Sequence, residues 1–186
     1  LFQPPLIRLL LRIENAQRFA AVIARDDKPE TVVAAGLSGE MFMLEGFSDG
    51  VASVWVGGTY RKGGTGLKLD AGERLLALIA LGLPKEPLRP VADRARKPLE
   101  RLCQSFDAFP EWAKTAAGAV RSAPSALNAQ PWRMAMAAGA LEIAARPASR
   151  LDLGIGAAHA LLALRQKGAS PTVTLAEDAA SLRIRV

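Results

Sequence analysis

The residues best suited to chemistry lie together in the run Ser122-Ala-Pro-Ser-Ala-Leu-Asn-Ala-Gln-Pro-Trp132. Two hydroxyls, Ser122 and Ser125, are followed by two amides, Asn128 and Gln130, and the run closes on Pro131 and Trp132. Ser122 and Ser125 can cap, Pro124 and Pro131 stiffen the chain, and Asn128 tolerates turn geometry, so the run is a poor helix interior. It reads as a shaped loop between a helix ending near residue 121 and a strand starting near 132. Hydrogen-bonding groups held in a fixed arrangement suit a flat polar ligand better than a core. The plain alternative is an ordinary helix-to-strand connection built from the same turn residues.

Other reactive groups are scarce. His159 and Cys103 are the only histidine and cysteine. A zinc site of the usual type needs more of both, and no disulfide can form within the chain, which favours a reducing compartment. Any Ser-His or Cys-His device would have to use His159. That residue stands near Ile155 and Leu162 in a helical run and reads as a satisfied, partly buried histidine rather than a catalytic acid. Cys103 reads as an inert small residue rather than a redox centre. Residues 62–66, Lys-Gly-Gly-Thr-Gly, lack the spacing of a phosphate-binding P-loop.

The chain carries a formal net charge of +6 over 186 residues, and its densest basic cluster spans residues 89–101, with Arg94, Arg96 and Lys97 inside it. No aromatic residues interleave with the cluster, so nucleic acid is the weaker partner and a small anionic cofactor the stronger. A solvated charge run is the plain reading. No apolar run reaches the ~18 residues of a membrane span, and no signal peptide is visible. The chain is therefore expected in the cytoplasm. It opens without Met, at Leu1-Phe2-Gln3-Pro4-Pro5, and is read as lacking its true N-terminal part.

The length allows one domain with a real core, and a single domain over 1–186 is expected, with halves of about 1–105 and 106–186. Strands are expected at 19–24, 31–35, 51–56 and 75–81, the last a continuous apolar run between glycines. Helices are expected at 37–49 with Ser38 as cap, at 109–121 opened by Pro110, and at 153–167 with Asp152 as N-cap and Gly168 as stop. A hairpin at 132–145 turns at Ala138-Gly139, and strands at 173–175 and 182–186 close the chain. Met41, Met43, Met134 and Met136 are expected in the core. Gly57-Gly58 ends the strand at 51–56. The alternation points to an α+β fold in which strands of both halves share one sheet.

The motif Ala-Pro-Ser-x-x-Asn-x-Gln-Pro-Trp at 123–132 resembles the signature of the nitroreductase superfamily of FMN enzymes. The resemblance extends over most of the chain. It includes Gly36-Leu-Ser-Gly-Glu-Met-Phe-Met-Leu-Glu45, Gly50-Val-Ala-Ser-Val-Trp-Val-Gly-Gly58, Gly82-Leu-Pro84, Arg94-Ala-Arg-Lys-Pro-Leu99 and Asp152-Leu-Gly-Ile-Gly-Ala-Ala-His159. This order resembles the TM nitroreductase branch, in which one chain is similar to two fused half-length units. The resemblance implies a mixed, mainly antiparallel sheet flanked by helices, in two similar halves, as monomer or homodimer.

The resemblance also implies site residues. Pro124, Ser125 and Asn128 would face the flavin ring or ribityl chain, Gly57 and Gly58 would lie close to flavin N5 and O4, and Arg94 and Arg96 would approach the FMN phosphate. Gln130 and Trp132 match the motif and can serve to shape the loop. No Arg-x-Ser-x-Arg segment, which grips the phosphate in the superfamily, precedes Leu1, and Val54 stands where many relatives carry Cys or Thr. The implied activity is FMN-dependent transfer of electrons from NAD(P)H to a small acceptor such as a nitroaromatic or quinone. No catalytic side chain and no metal are required, because the flavin carries the chemistry. The alternatives are a non-catalytic flavin-binding or structural domain of the same fold and, more weakly, a basic nucleic-acid-binding module.

Overall fold

The computed structural model describes residues 13, 16, 18–58, 65–87 and 95–186. Arg94 lies outside the described residues. The chain divides into two compact units, one of Leu1–Asp27 and Phe42–Arg89, the other of Lys28–Met41 and Pro90–Val186.

The first unit holds a three-stranded antiparallel sheet of β1 (Arg18–Ala24), β2 (Ala52–Val56) and β3 (Arg74–Gly82), in the order β1-β3-β2. The apolar run of β3 takes the central place, with Ala77, Leu78, Ile79 and Ala80 all buried. Four consecutive buried residues mean that both faces of this strand are covered, so it has no polar alternation to show. Val56, Leu78 and Ala80 form a buried cluster against which Ile13, Ala16, Ala21 and Leu75 pack.

Helix α1 (Pro29–Ser48) contributes residues to both units. The strand expected at 31–35 does not exist, and the helix expected from residue 37 starts at Pro29, so Ser38 lies inside it rather than at its cap. Pro29 and Glu30 are good first-turn residues. The buried positions Val33, Gly36, Glu40 and Met43 recur at helical spacing, but a glycine and a glutamate occupy two of the four. An apolar-periodicity scan is blind to such a face, and Val32-Val33 locally imitates a strand.

The second unit builds on a one-turn helix α2 (Leu99–Leu102), then α3 (Glu111–Ser122), β4 (Arg133–Ala137), β5 (Ala140–Ala144), α4 (Arg150–Gln166), β6 (Thr172–Leu175) and β7 (Ser181–Arg185). Its sheet runs β4-β5-β7-β6, antiparallel throughout. One isolated parallel bridge joins Cys103 to Met134 at the β4 edge. The register aligns Met134, Ile143, Leu182 and Leu175 in one row, and Met136, Leu141, Ile184 and Val173 in the next. These rows lie on the core face, with Val173 on the edge strand β6 left exposed, while Glu142 and Arg183 pair across the other face at 2.9 Å. At the hairpin tip Ala138 and Gly139 take φ of 48° and 73°, the left-handed pair that a two-residue turn requires.

Helix α3 packs on α4 through Ala113, Ala116, Ala117 and Val120, a stripe of small buried side chains that permits close approach. Most of α4, from Asp152 to Ala158 and on to Leu164, is buried, as befits a helix surrounded by protein. It begins at Arg150 with Ser149 in the cap position, so Asp152 is a first-turn residue and not the N-cap.

The fold is thus α+β, with antiparallel sheets flanked by helices. The expectation that strands of both halves share one sheet is not met. Among the described residues each sheet draws on one unit only, because β1, β2 and β3 pair with one another and β4 to β7 do the same. Of the methionines, Met43 and Met134 are core, while Met41 and Met136 are half-buried.

Candidate functional site

The stretch 122–132 is a loop, as its composition predicts, and it is held from several sides. Three of its non-glycine residues have left-handed backbone: Leu127 (φ 51°), Asn128 (φ 53°) and Gln130 (φ 45°). Asparagine tolerates this region, but leucine is disfavoured there by roughly 1–2 kcal/mol. Leu127 is also 99% exposed. Such a conformation persists only where the surroundings over-determine it.

The surroundings are visible. Ser125 Oγ accepts from the Gln130 amide at 2.8 Å, and the Asn128 amide donates to the Ser125 carbonyl at 2.9 Å. The buried Gln130 side chain donates from Nε2 to the Asn128 carbonyl at 3.2 Å and accepts at Oε1 from the Lys97 amide at 2.7 Å. Lys97 Nζ donates to the Ala129 carbonyl at 2.6 Å. Arg96 Nη1 donates to Asn128 Oδ1 at 3.0 Å, Arg96 Nη2 donates to the Ser122 carbonyl at 3.0 Å, and Asn128 Nδ2 donates to the Ala95 carbonyl at 3.1 Å. Arg121 Nε closes the set on the Lys97 carbonyl at 2.7 Å.

Two segments that the sequence presents separately, the basic 95–97 and the loop 122–132, are therefore stitched into one surface. Arg96 and Asn128 meet, and Ser125 lies in the same network. The Ser125 hydroxyl accepts from the Gln130 amide, and among the described residues it donates to no acceptor. Pro124 is half-buried between Ala123 and Ser125. Gly57 and Gly58 follow β2 in the other unit. Both are exposed, Gly58 has φ 65°, and among the described residues a Cβ on either would meet nothing within 4 Å.

Two residues carry more of this site than the sequence reading assigned them. Lys97 holds the loop with its amide and its ammonium, while its carbonyl accepts from Arg121 at the end of α3. Asp152, read from the sequence only as a cap, accepts at Oδ1 from the Ala126 amide at 3.0 Å, while its own carbonyl accepts from Trp132 Nε1 at 3.0 Å. The available signal was a lone acid in the apolar run Leu151-Asp-Leu-Gly154. Burial raises the Asp152 carboxyl above its ordinary value, and the Ala126 N–H bond opposes that rise.

His159, half-buried, bonds through Nε2 to Oε1 of the buried Glu40 at 2.8 Å, which matches its reading as a satisfied histidine. Cys103 lines a concavity of about 420 Å³ with Leu102, Arg133 and Met134, among others. Its thiol is pushed up to about 11, chiefly by burial and then by Glu100, so it holds its proton at neutral pH. None of the described residues singled out for flavin borders that concavity.

A family described as "Putative TM nitroreductase" matches residues 6–164. The chain belongs to this nitroreductase family. A crystal structure described as that of a putative nitroreductase from Thermotoga maritima is similar with a TM-score of 0.70 and 18% identity, over 98% of this chain and 84% of that one. At that identity the likeness speaks for the nitroreductase fold. No curated protein matches the chain. Membership in a nitroreductase family makes oxidoreductase the functional class. No helix among the described residues is long and apolar enough to cross a membrane.

Proposed function

We propose that the protein is an FMN-dependent oxidoreductase that takes electrons from NAD(P)H and passes them to a small acceptor such as a nitroaromatic or a quinone. The observation that carries this reading is the docking of the basic segment 95–97 onto the loop 122–132. The family signature and the cationic cluster form one continuous polar surface, and FMN is itself a flat polar ring with an anionic tail.

The residues present fit that group. Ser125 retains a hydroxyl donor. Arg96 and Lys97 bring two positive charges to the loop while their N–H groups hold it, so an anion beside them gains from charge even where a direct bond is not made. Pro124 and the left-handed residues Leu127, Asn128 and Gln130 keep the surface rigid, which limits the ordering cost of binding. When bound, FMN supplies the hydride and electron chemistry. This chain's residues bind, orient and supply charge. In this reading Pro124, Ser125 and Asn128 address the ring or ribityl chain, Arg96 with Arg94 addresses the phosphate, and Gly57 and Gly58 leave room for the reacting edge.

Reconstitution tests the reading. The purified protein, incubated with FMN and desalted, is expected to stay yellow and to oxidise NAD(P)H when a quinone or nitroaromatic is supplied. Bound flavin without NAD(P)H oxidation would leave a flavin-binding domain that lacks catalysis. No retained flavin would remove FMN from the account.

A further inference from the structure

We infer that Asp152 is the positioning residue of the loop: its side chain and its main chain hold the two ends of the stretch 126–132 in the conformation that presents Ser125 and Asn128. The link to flavin rests on the proposed function, whereas the link to the loop does not.

The geometry is specific. The Asp152 carboxylate takes the Ala126 amide at 3.0 Å, and the Asp152 carbonyl takes the Trp132 indole N–H at 3.0 Å. Trp132 is fully buried, and its ring sits directly on Gly156, where an added Cβ would lie 2.7 Å from Nε1. Both ends of the stretch are thus fastened to the first two turns of α4. Between the two fastenings lie the left-handed residues Leu127, Asn128 and Gln130. A strained segment keeps its shape only if its ends are fixed, and Asp152 fixes both.

A capping duty does not account for this acid. Ser149 holds the cap position of α4, and Asp152 points its carboxylate at another segment of the chain instead. Nor does core packing account for it, since burial works against a charged side chain. What the carboxylate does is receive the amide of the residue that follows Ser125. Losing that acceptor leaves the Ala126 N–H without its partner and frees the leading end of the turn. The trailing end stays tied through the indole.

Asp152→Ala and Asp152→Asn separate positioning from general stability, with Trp132→Phe as a variant that releases only the trailing end. Amide hydrogen exchange on the protein without flavin reads the loop directly. In Asp152→Ala the Ala126 and Gln130 amides are expected to exchange about tenfold faster or more, while the α3 and α4 interiors keep their protection. Asp152→Asn retains an acceptor at the same place and is expected to restore protection. FMN titration should follow the same order, with Asp152→Ala weaker by about tenfold and Asp152→Asn close to wild type. If Asp152→Ala does not fold, Trp132→Phe carries the test through faster exchange confined to residues 129–132. Wild-type protection of the loop in folded Asp152→Ala, or in Trp132→Phe where that variant stands in, overturns the inference. Failure of the wild type to take up FMN would instead strike at the proposed function, and the exchange result would still decide the role of Asp152.

Discussion

Gly36 and Gly154 make the same contact in opposite directions. A Cβ on Gly36 would strike the carbonyl oxygen of Leu151, three residues before Gly154. A Cβ on Gly154 would strike the carbonyl oxygen of Val33, three residues before Gly36. Helices α1 and α4 therefore cross backbone to backbone with a local two-fold character inside one chain. Self-complementary contacts of this kind are what an isologous interface makes between two subunits.

Either glycine should be intolerant of a methyl group. Gly154→Ala also brings its Cβ to 2.7 Å from the Leu37 amide nitrogen, so relief requires the helices to separate. Each substitution is expected to destabilise the fold by ~3 kcal/mol or more. Urea unfolding measures this, and a loss under about 1 kcal/mol would mean that the helices are not in contact as described.

The crossing is symmetric in backbone and one-sided in polarity. Aligning Gly36 with Gly154 sets Glu40 against Ala158 and His159 against Met41, so the Glu40–His159 bond has no counterpart. A double-mutant cycle with Glu40→Gln and His159→Leu should give a coupling of ~1–3 kcal/mol, because both side chains are largely withdrawn from water. Additive losses would show that the bond does not contribute.

Asp152 makes a pH-dependent contribution with the opposite sign to the usual carboxylate. Its folded-state value lies above the ordinary 3.8, so the folded chain holds the proton more tightly than the unfolded chain. The stability attributable to the group is therefore greatest below 3.8 and falls as pH rises to the raised folded value. The wild-type unfolding free energy minus that of Asp152→Asn should decline across that window and then level off. A difference that rises with pH would contradict the assignment.

Leu127 should be replaceable without loss of stability. It buries nothing, and its φ of 51° suits asparagine better. Leu127→Asn is expected to raise stability by ~1 kcal/mol. A clear loss would show that the side chain packs against something it is not seen to touch.

Much of this was legible in the residues, for identifiable reasons. The strands at β1, β2, β3 and the hairpin β4–β5 carry their own signals in apolar runs and in Ala138-Gly139. The loop 122–132 declared itself through proline, hydroxyl and amide residues. The start of α1 did not, because Val32-Val33 imitates a strand there and the next buried position is Gly36, whose burial is intelligible only with Leu151 opposite. The same holds for Asp152 and Lys97. Their roles lie in bonds to Ala126, Gln130 and Ala129, 26 to 33 residues away in the chain, and no local pattern encodes such partners. The separation of strands into two sheets is likewise a matter of pairing, which alternation alone leaves open.

The most direct test of the central claim is the anaerobic addition of NAD(P)H to the FMN-loaded protein. The visible absorbance of the bound flavin should bleach as the cofactor is reduced, and it should return when a quinone or nitroaromatic is added. Bound flavin that stays oxidised under excess NADH and excess NADPH would contradict the account.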